Sequence, residues 1–463
     1  RANIDLYPSE QAYHVKAQYE LCNPHSTPLN QMWIALDQVA ELDSLFGKET
    51  SLLQADDAFG MYLVALDPPM QGGESRDIQF QFQSYWSPFA GLTPFNAIVS
   101  NGSFMRISRY FPLLGYQTDW EMNGAEDRQK QGLVLHEDLL SLETLSLSDP
   151  YENFIQWEAI ISTEADQSIV AAGQQIAHWQ EGERSFFHFR TPRPIPFRFA
   201  VSSARYAERL DSMAGIQYRI LHHPAHQSQI KPMLAASQQT IAYCERAFGP
   251  YPFGELQIAE VSDFTEGFAA TAYPNTLYIR ESMGWYADPN DPDGPNRVFL
   301  MMAHEIAHQW WGGQLYPEYR EGATLLTESL AQYTAYMLYK EAFGEAATQK
   351  TLQVEAELYF QDRGFQTESP LLRVGPDQPY VAYQKGAVVL YAIQTLIGEK
   401  QLNLALASLL EKHAYPQMPA SSLDLLAAIL AQSPAEHHSL IRQWFTDVCI
   451  EDVDARLIVR IPD

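Results

Sequence analysis

Two histidines four residues apart, with a glutamate directly after the first, stand in the stretch LMMAHEIAHQWWGG. In a helix this spacing puts His304 and His308 on one face, so that both imidazoles can bind a single metal ion. Glu305 points away from that line and stays free to accept a proton from water, as carboxylates do at hydrolytic metal centres. Histidines on a polar helix face, or hydrogen-bonded in the core, would show the same spacing. The three residues therefore predict a hydrolytic metal site if a further ligand follows.

A catalytic metal needs a third protein ligand, and Glu328 in the stretch LLTESLAQY is the candidate. Nineteen residues separate it from His308, including a Trp-Trp-Gly-Gly helix end and a loop, which is enough for the chain to turn back. Its neighbours are mostly apolar. Because an unpaired buried carboxylate is costly, metal ligation explains Glu328 better than a solvated helix face does. Gln332, one turn further on, is a candidate hydrogen-bond partner of this site, although a helix surface suits it equally well.

Composition and charge exclude several classes of protein. The 463 residues include 57 acidic and 30 basic side chains, and the formal net charge of −27 argues against nucleic acid and anionic membranes as partners. No run of about 18 apolar residues occurs, so we expect no membrane insertion by this chain itself. The cysteines are widely spaced and predict neither a disulfide framework nor a thiolate metal site. They are Cys22, Cys244 and Cys449.

The first two hundred residues alternate in the manner of strands, and the pattern then changes to helices. The segments YHVKAQYEL and DIQFQFQSYW have the two-residue period of half-buried strands, with turn signals such as NPHSTP between such segments. We therefore expect an N-terminal antiparallel β-sandwich or saddle that ends at the proline-rich stretch TPRPIPFRF. The predicted domains are residues 1–203 and 204–463, with a helical lobe from about residue 346.

These motifs resemble those of the gluzincin zinc aminopeptidases related to aminopeptidase N, in which H-E-x-x-H-Q-W-[FW]-G is followed by a glutamate. This chain has HEIAHQWWG and then TESLAQY. The segments SARY, FGPYPF, LLTESLAQY and YQKGA are similar to the branch of the family that is fused to ABC-type export permeases, and the likeness covers nearly the whole chain. It implies a thermolysin-like catalytic domain with a helical C-terminal lobe and one Zn²⁺ per chain. The implied ligands are His304, His308 and Glu328, with Glu305 as the general base.

The stretch YVAYQKGAVVLY contains a candidate for stabilising the transition state. Tyr383 matches the tyrosine of the family's Y-x-K-G motif, and the resemblance implies that its hydroxyl donates a hydrogen bond to the oxyanion of the tetrahedral intermediate. A fixed phenol near the metal suits this role, because it stabilises charge that develops only in the transition state. An aromatic core residue is the alternative interpretation of Tyr383. Tyr380, three residues earlier, is a second candidate for the same role.

One feature of the family is missing from the stretch EGFAATAYPNTLYIRES. In the family, a G-[AG]-M-E-N strand carries a glutamate that binds the free α-amino group of the peptide, and the aligned residues here are AATAY. Their backbone can still pair with an extended substrate as an added strand. Glu266 and Asn101 are candidate replacements for the amine contact, although a surface glutamate and an Asn-Gly turn explain them better. The candidate substrate-binding residues are Ala269, Ala270, Thr271, Ala272, Glu266 and Asn101.

The sequence thus predicts a zinc metallopeptidase, and the resemblance implies an aminopeptidase that releases N-terminal residues from peptides by attack of a zinc-bound water. Because the amine-binding glutamate is absent, an endopeptidase and a non-catalytic, zinc-bearing module of a membrane transporter that binds peptides or a partner stay open as alternatives. A metal-free scaffold is a third. The resemblance also implies the extracytoplasmic soluble domain of a bacterial membrane protein, attached to membrane segments outside this chain, with a cytoplasmic location as the alternative.

Overall fold

The computed structural model describes residues 1–37, 40–47, 49–87, 96–117, 122, 125–133, 139–144, 154–286, 296–363 and 368–448. Cys449 lies outside these residues. Over the described part of the chain, no helix is both long and apolar enough to cross a bilayer.

Hydrophobic alternation builds the N-terminal half from strands, as predicted. Its strands are β1 Ala2–Tyr7, β2 Ala12–Cys22, β3 Leu29–Ala35, β4 Glu41–Gly47, β5 Thr50–Asp56, β6 Met61–Met70, β7 Ser75–Tyr85, β8 Asn96–Ala97, β9 Ser103–Met105, β10 Leu113–Leu114, β11 Phe154–Ile155, β12 Glu158–Glu164, β13 Ser168–Ala171, β14 Gln174–Glu181, β15 Arg184–Arg190, β16 Ile195–Pro196 and β17 Val201–Ala204. In β7 every second side chain is buried, and the strand pairs antiparallel with β2 so that Phe82 lies opposite Val15.

The described strands of this half form one large sheet and three smaller ones. The large sheet has the order β14-β15-β12-β1-β2-β7-β4, and two four-stranded sheets have the orders β10-β3-β6-β5 and β13-β17-β9-β8. Strands β11 and β16 form a separate pair. One pairing departs from the predicted antiparallel arrangement, because β1 lies parallel to β12 with Ala2 opposite Ala159. This parallel pair joins two strands that are distant in sequence.

The second half contains a mixed five-stranded sheet in the order β18-β19-β20-β22-β21, with strands β18 Ala207–Met213, β19 Ile216–His222, β20 Glu255–Val261, β21 Ala270–Tyr273 and β22 Thr276–Arg280. Strands β19, β20 and β22 run parallel, and β21 pairs antiparallel with β22. In this sheet β21 has β22 as its only neighbouring strand among the described residues. The other edge of β21 therefore has no strand partner in this part of the chain.

Most of the described helices follow this sheet, as the change in sequence pattern predicts, and one lies between β19 and β20. With a short helix from the first half, they are α1 Ala125–Lys130, α2 Ile230–Ala247, α3 Arg297–Ala307, α4 Leu330–Phe343, α5 Glu345–Arg363, α6 Gly386–Ile397, α7 Glu399–His413, α8 Ser422–Ala431 and α9 His438–Thr446. The predicted fold class is confirmed: a β-rich first part precedes a sheet-and-helix part that ends in a helical lobe.

Two large apolar cores fill the molecule. One lies between the N-terminal sheets and draws its residues from Ala2 to Val201, and the other packs the helices on the five-stranded sheet, from Leu142 to Phe445. A smaller cluster, which includes Phe104 and Tyr278, contains residues of both halves. The domain boundary at residue 203 stays a prediction. The two cores nevertheless place the motif helix α3 wholly within the second core, against the sheet and α4.

Candidate metal centre

Helix α3 carries both motif histidines close to its C-terminal end. The helix starts where the side-chain oxygen of Asn296 accepts a hydrogen bond from the backbone N–H of Phe299, at 3.0 Å. His304 lies in the last turn, and His308 is the residue that ends the helix. Because the rest of the helix is largely buried, its position and rotation are set by core packing.

The predicted ligand atoms converge on one point. The Nε2 atoms of His304 and His308 lie 3.0 Å apart, and the Glu328 Oε2 atom lies 3.3 Å from each of them. Potential ligand atoms of the three residues all lie within 4.8 Å of one another. Two imidazole nitrogens and a carboxylate oxygen are the donor set that zinc takes in hydrolases, with a fourth position left open.

A buried carboxylate oxygen at this point has no hydrogen-bond partner. Glu328 Oε2 is buried without a hydrogen bond, and it faces the two imidazole nitrogens. His308 is oriented by its other ring nitrogen, because Nδ1 lies 2.9 Å from the Trp311 carbonyl and donates to it when it carries the proton. That tautomer leaves Nε2 as a lone-pair donor toward the centre. The three side chains therefore fit a bound zinc ion.

Charge coupling within the centre is strong. Burial lowers the pKa of His308, but the Glu328 carboxylate outweighs burial and raises that pKa to about 9. Burial raises the pKa of the Glu328 carboxyl, and the two histidines outweigh this and hold it well below its usual range. These side chains are arranged to share positive charge. A divalent cation satisfies them without the protons that they otherwise hold.

Glu305 and Tyr383 lie beside these ligands. Glu305 is 8% exposed, and burial, reinforced by the charge on Glu328, raises the pKa of its carboxyl. The Tyr383 ring stacks on the His304 ring, with centroids 5.6 Å apart. Burial and then the neighbouring Glu328 carboxylate raise the pKa of the Tyr383 phenol, so the hydroxyl keeps its proton and can donate it in a hydrogen bond. Tyr380 packs instead on Tyr359, with centroids 6.2 Å apart.

Two π-helical turns present Glu328 and Tyr383. One spans Leu325–Ser329 at the start of α4, and the other spans Val381–Lys385 at the start of α6. The two turns are tied together by the Ser329 hydroxyl, which donates to the Ala382 carbonyl at 2.6 Å. Such turns are rare and recur at functional sites, because they rotate a side chain away from its α-helical direction.

Gly386 permits the close approach of these turns. A Cβ atom at this position would lie 2.1 Å from Ser329 Oγ and 2.6 Å from Ser329 Cβ. Close packing against Ser329 thus explains the glycine that follows Lys385 in the motif. Lys385 itself is buried and anchors the second turn. Its Nζ donates to Glu368 Oε1 at 2.7 Å and to the Val448 carbonyl at 2.9 Å.

The edge strand β21 is held to the motif helix by Gln309, a residue that the sequence analysis did not single out. Its side-chain N–H donates to the Tyr273 carbonyl, and its oxygen accepts from the Asn275 backbone N–H, both at 2.9 Å. The candidate segment Ala269–Ala272 lies on and just before this strand. The motif H-E-x-x-H-Q could have pointed to Gln309, because its glutamine follows the second histidine directly.

Three other candidates have surroundings that give no sign of a substrate or metal contact. Asn101 Oδ1 accepts a hydrogen bond from the backbone N–H of Arg205 at 2.8 Å, as a turn residue does. Glu266 is exposed, and neither residue lines the cleft beside the ligands. Gln332 donates to the Tyr336 hydroxyl at 3.3 Å. Asn101 and Glu266 thus lie outside the lining of the cleft, and the role of Gln332 stays a prediction.

A cleft opens at His308 and Glu328. Prolines and aromatic rings form much of its wall, and both halves of the chain contribute to it. A buried carboxylate, a protonated phenol and a set of potential metal ligands beside such a cleft are typical of metal-dependent hydrolases.

The second half of the chain is similar to a known peptidase family. Residues 233–444 match the model of the Peptidase family M1 domain. The chain is 23% identical over 295 residues to Probable aminopeptidase 1 of Sulfurisphaera tokodaii, which covers 60% of this chain and 36% of that protein. It is 24% identical over 238 residues to Aminopeptidase M1 of Arabidopsis thaliana, which covers 50% of this chain and 27% of that protein. The chain thus spans about a third of the length of these curated relatives, or less.

Solved structures share the fold over almost the whole chain. An M1 zinc metallopeptidase variant from Deinococcus radiodurans, crystallised with a Tyr-Ser-Ala substrate, superposes with a TM-score of 0.70 at 15% identity. The match covers 98% of this chain and 94% of that one. The chain has the fold of these M1 zinc metallopeptidase structures. Residues 233–444, which include His304, His308, Glu328 and Tyr383, are thus similar to the M1 peptidase domain.

Proposed function

We propose that this protein is a zinc-dependent aminopeptidase that removes N-terminal residues from peptides. The observation that carries the proposal is the convergence of His304, His308 and Glu328 on one point, with Glu305 and Tyr383 beside it. The M1 relatives are named aminopeptidases, which supports the same activity. A binding module without catalysis has no use for the general base and the phenol.

The roles follow from position and charge. His304, His308 and Glu328 would hold zinc, which when bound supplies a Lewis acid for the scissile carbonyl and for water. Glu305, whose raised pKa brings its proton affinity closer to neutral pH, accepts the proton of the attacking water and returns it to the leaving amine nitrogen. The Tyr383 hydroxyl donates a hydrogen bond to the oxyanion of the tetrahedral intermediate. The free edge of β21 pairs with the backbone of the peptide.

The glutamine variant of Glu305 tests this assignment. Glu305→Gln keeps the size of the side chain and removes the base, so zinc content should stay at one ion per chain while kcat falls by about 10²–10⁴. Glu341→Gln is the matched control, because Glu341 lies on the exposed face of α4 and pairs with Arg246 at 2.7 Å. A Glu305→Gln variant that cleaves peptides at the wild-type rate would exclude the mechanism.

The site carries no family glutamate for the substrate amine, so an endopeptidase is the second candidate. Turnover of fluorogenic amino-acid amides, compared with turnover of internally quenched, N-acetylated peptides, separates the two. Cleavage that requires a free amine supports the aminopeptidase. Cleavage of N-acetylated peptides supports the endopeptidase, and absence of turnover by zinc-loaded protein supports a binding module.

We further propose that the chain belongs to the branch of the family fused to ABC-type export permeases, and so forms the extracytoplasmic part of a bacterial membrane protein. The segments SARY, FGPYPF and YQKGA support this proposal. Fractionation of source cells with an antibody against this domain tests it. Signal in the soluble cytoplasmic fraction, at the size of this chain alone, would contradict it.

A further inference from the structure

An arginine with no acidic partner faces the cleft next to the metal ligands. Arg198 lines the cleft together with Arg193, and its side chain is exposed to it. Its guanidinium carbon lies 5.1 Å from the centre of the Tyr273 ring, on the face of that ring. In the described part of the chain, no carboxylate oxygen lies within 4.0 Å of either arginine, the distance that defines an ion pair.

Many other arginines of this acidic chain pair with carboxylates. With 57 acidic side chains against 30 basic ones, most arginines can find a carboxylate. Arg205, seven residues further on, lies 2.5 Å from the Asp166 carboxylate and 3.7 Å from that of Glu164. Arg219 and Arg373 are also paired. A cleft-facing guanidinium that is left without a partner is available for an anion from outside the chain.

The other charged groups of the cleft do not neutralise the positive charge of Arg198. Among its described lining residues the only carboxylate is Glu328, a proposed metal ligand. The two charges of a zinc ion are balanced by the carboxylates of Glu328 and Glu305, so the loaded centre is close to neutral. The charge of Arg198 then remains, beside walls of proline and aromatic side chains that strengthen its attraction for an anion.

We propose that Arg198, with Arg193 beside it, binds a carboxylate of the substrate close to the scissile bond. The inference rests on the proposed function and names its substrate class: short peptides whose C-terminal carboxylate lies one or two residues beyond that bond, or peptides with an acidic side chain there. A guanidinium binds a carboxylate through two parallel N–H donors, which also orients the peptide. The cleft thus selects for negative charge on the leaving side of the substrate.

Matched peptides measure this selection. For a first residue chosen from a panel, the wild type is given the dipeptide X-Ala, its amide X-Ala-NH2, and the amide X-Asp-NH2, and kcat and KM are determined for each. The free acid should be hydrolysed with a kcat/KM larger than that of its amide by on the order of tenfold to hundredfold, the range of a charge-assisted hydrogen bond. A similar gain for X-Asp-NH2 identifies the side chain as a second source of the carboxylate.

Variants assign the effect to Arg198. Arg198→Gln should lower kcat/KM for the free acid, so that the ratio of kcat/KM for the acid to kcat/KM for the amide falls close to one. The zinc content and kcat/KM for the amide should stay the same. Arg198→Lys should keep part of the ratio, because it keeps the charge and loses the paired donors. Arg205→Gln is the control, because its acidic partners lie outside the cleft.

A binding measurement separates this inference from the proposed function. Titration calorimetry with zinc-loaded Glu305→Gln protein compares X-Ala with X-Ala-NH2 in the absence of turnover, and should show weaker binding of the amide. Equal binding, or a wild-type ratio near one, would overturn the role of Arg198 even if the protein is an active aminopeptidase. Absence of turnover together with selective binding of the acid would refute the proposed aminopeptidase activity and leave the carboxylate site intact.

Discussion

At the scale of single residues, the proposed role of Tyr383 depends on its hydroxyl and not on its ring. Tyr383→Phe keeps the stacking on His304 and removes only the hydrogen-bond donor. We expect kcat to fall by about 10²–10³, the usual cost of removing one oxyanion donor, with KM and zinc content little changed. Steady-state kinetics on an amino-acid amide, with zinc determined on the same samples, measures this.

Tyr380→Phe is the matched comparison, because it removes a hydroxyl from the other tyrosine of the same motif. The Tyr380 hydroxyl is buried without a hydrogen-bond partner, so its removal should leave kcat within a few-fold of wild type. If Tyr380→Phe lost the larger share of activity, the oxyanion donor would have been assigned to the wrong tyrosine.

Residue type and spacing were enough to predict that His304 and His308 point to one place, because four-residue spacing on a helix is a local property. Glu328 followed from the chemical need for a third ligand. Arg198 and Gln309 could not be predicted in the same way, since their importance depends on Tyr273, which is distant from both in sequence. Functional residues within one local motif can thus be predicted from the sequence. Residues that act through contacts between distant segments are recognised only in the folded structure.

At the scale of elements, the meeting of the two π-helical turns depends on Gly386. Alanine there would place a methyl group 2.1 Å from Ser329 Oγ, so one of the turns has to move. We expect Gly386→Ala to lower the free energy of unfolding by about 1–3 kcal/mol, as overpacking does in cores. It should also reduce kcat, because Glu328 and Tyr383 are displaced together. Urea denaturation and kinetics test the two effects.

Two further variants check that close packing is the cause. Gly254→Ala is the control, because its new methyl group would meet a single side-chain atom at 3.4 Å, which is near ordinary contact. The double variant Gly386→Ala with Ser329→Gly recreates space at the contact and should recover part of the lost activity. Gly386→Ala protein as stable and active as wild type would mean that the turns tolerate separation.

The sequence predicted α3 and the strands β2 and β7 well, since each has a clear period. It did not predict the π-helical turns, because the period of their side chains differs little from that of the α-helices that they join. Nor did it predict the parallel pairing of β1 with β12, which is a contact between segments far apart in sequence. Long-range pairing and small irregularities in helices are set by packing, and here both contribute to the architecture around the site.

At the scale of the whole molecule, zinc should stabilise one of the two cores more than the other. The ligand side chains His304, His308 and Glu328 belong to the half built on the second core, and without a cation Glu328 Oε2 is buried unsatisfied. Zinc held at a thousand times its dissociation constant adds about 4 kcal/mol to folding stability. At about 2–4 °C for each kcal/mol, chelation should lower the corresponding melting temperature by on the order of 10 °C.

Differential scanning calorimetry of loaded, chelated and reloaded protein measures this shift, because a selective effect moves the transition of the zinc-binding half and leaves that of the N-terminal β half in place. Added Zn²⁺ should restore both the transition and the peptidase activity, and Mg²⁺ should restore neither, since imidazole ligands suit zinc and not magnesium. Glu328→Gln protein should respond weakly to the chelator, because it lacks the anionic ligand. Chelated protein that has lost its zinc and melts unchanged would show that the ligands are held in place by the apolar core alone.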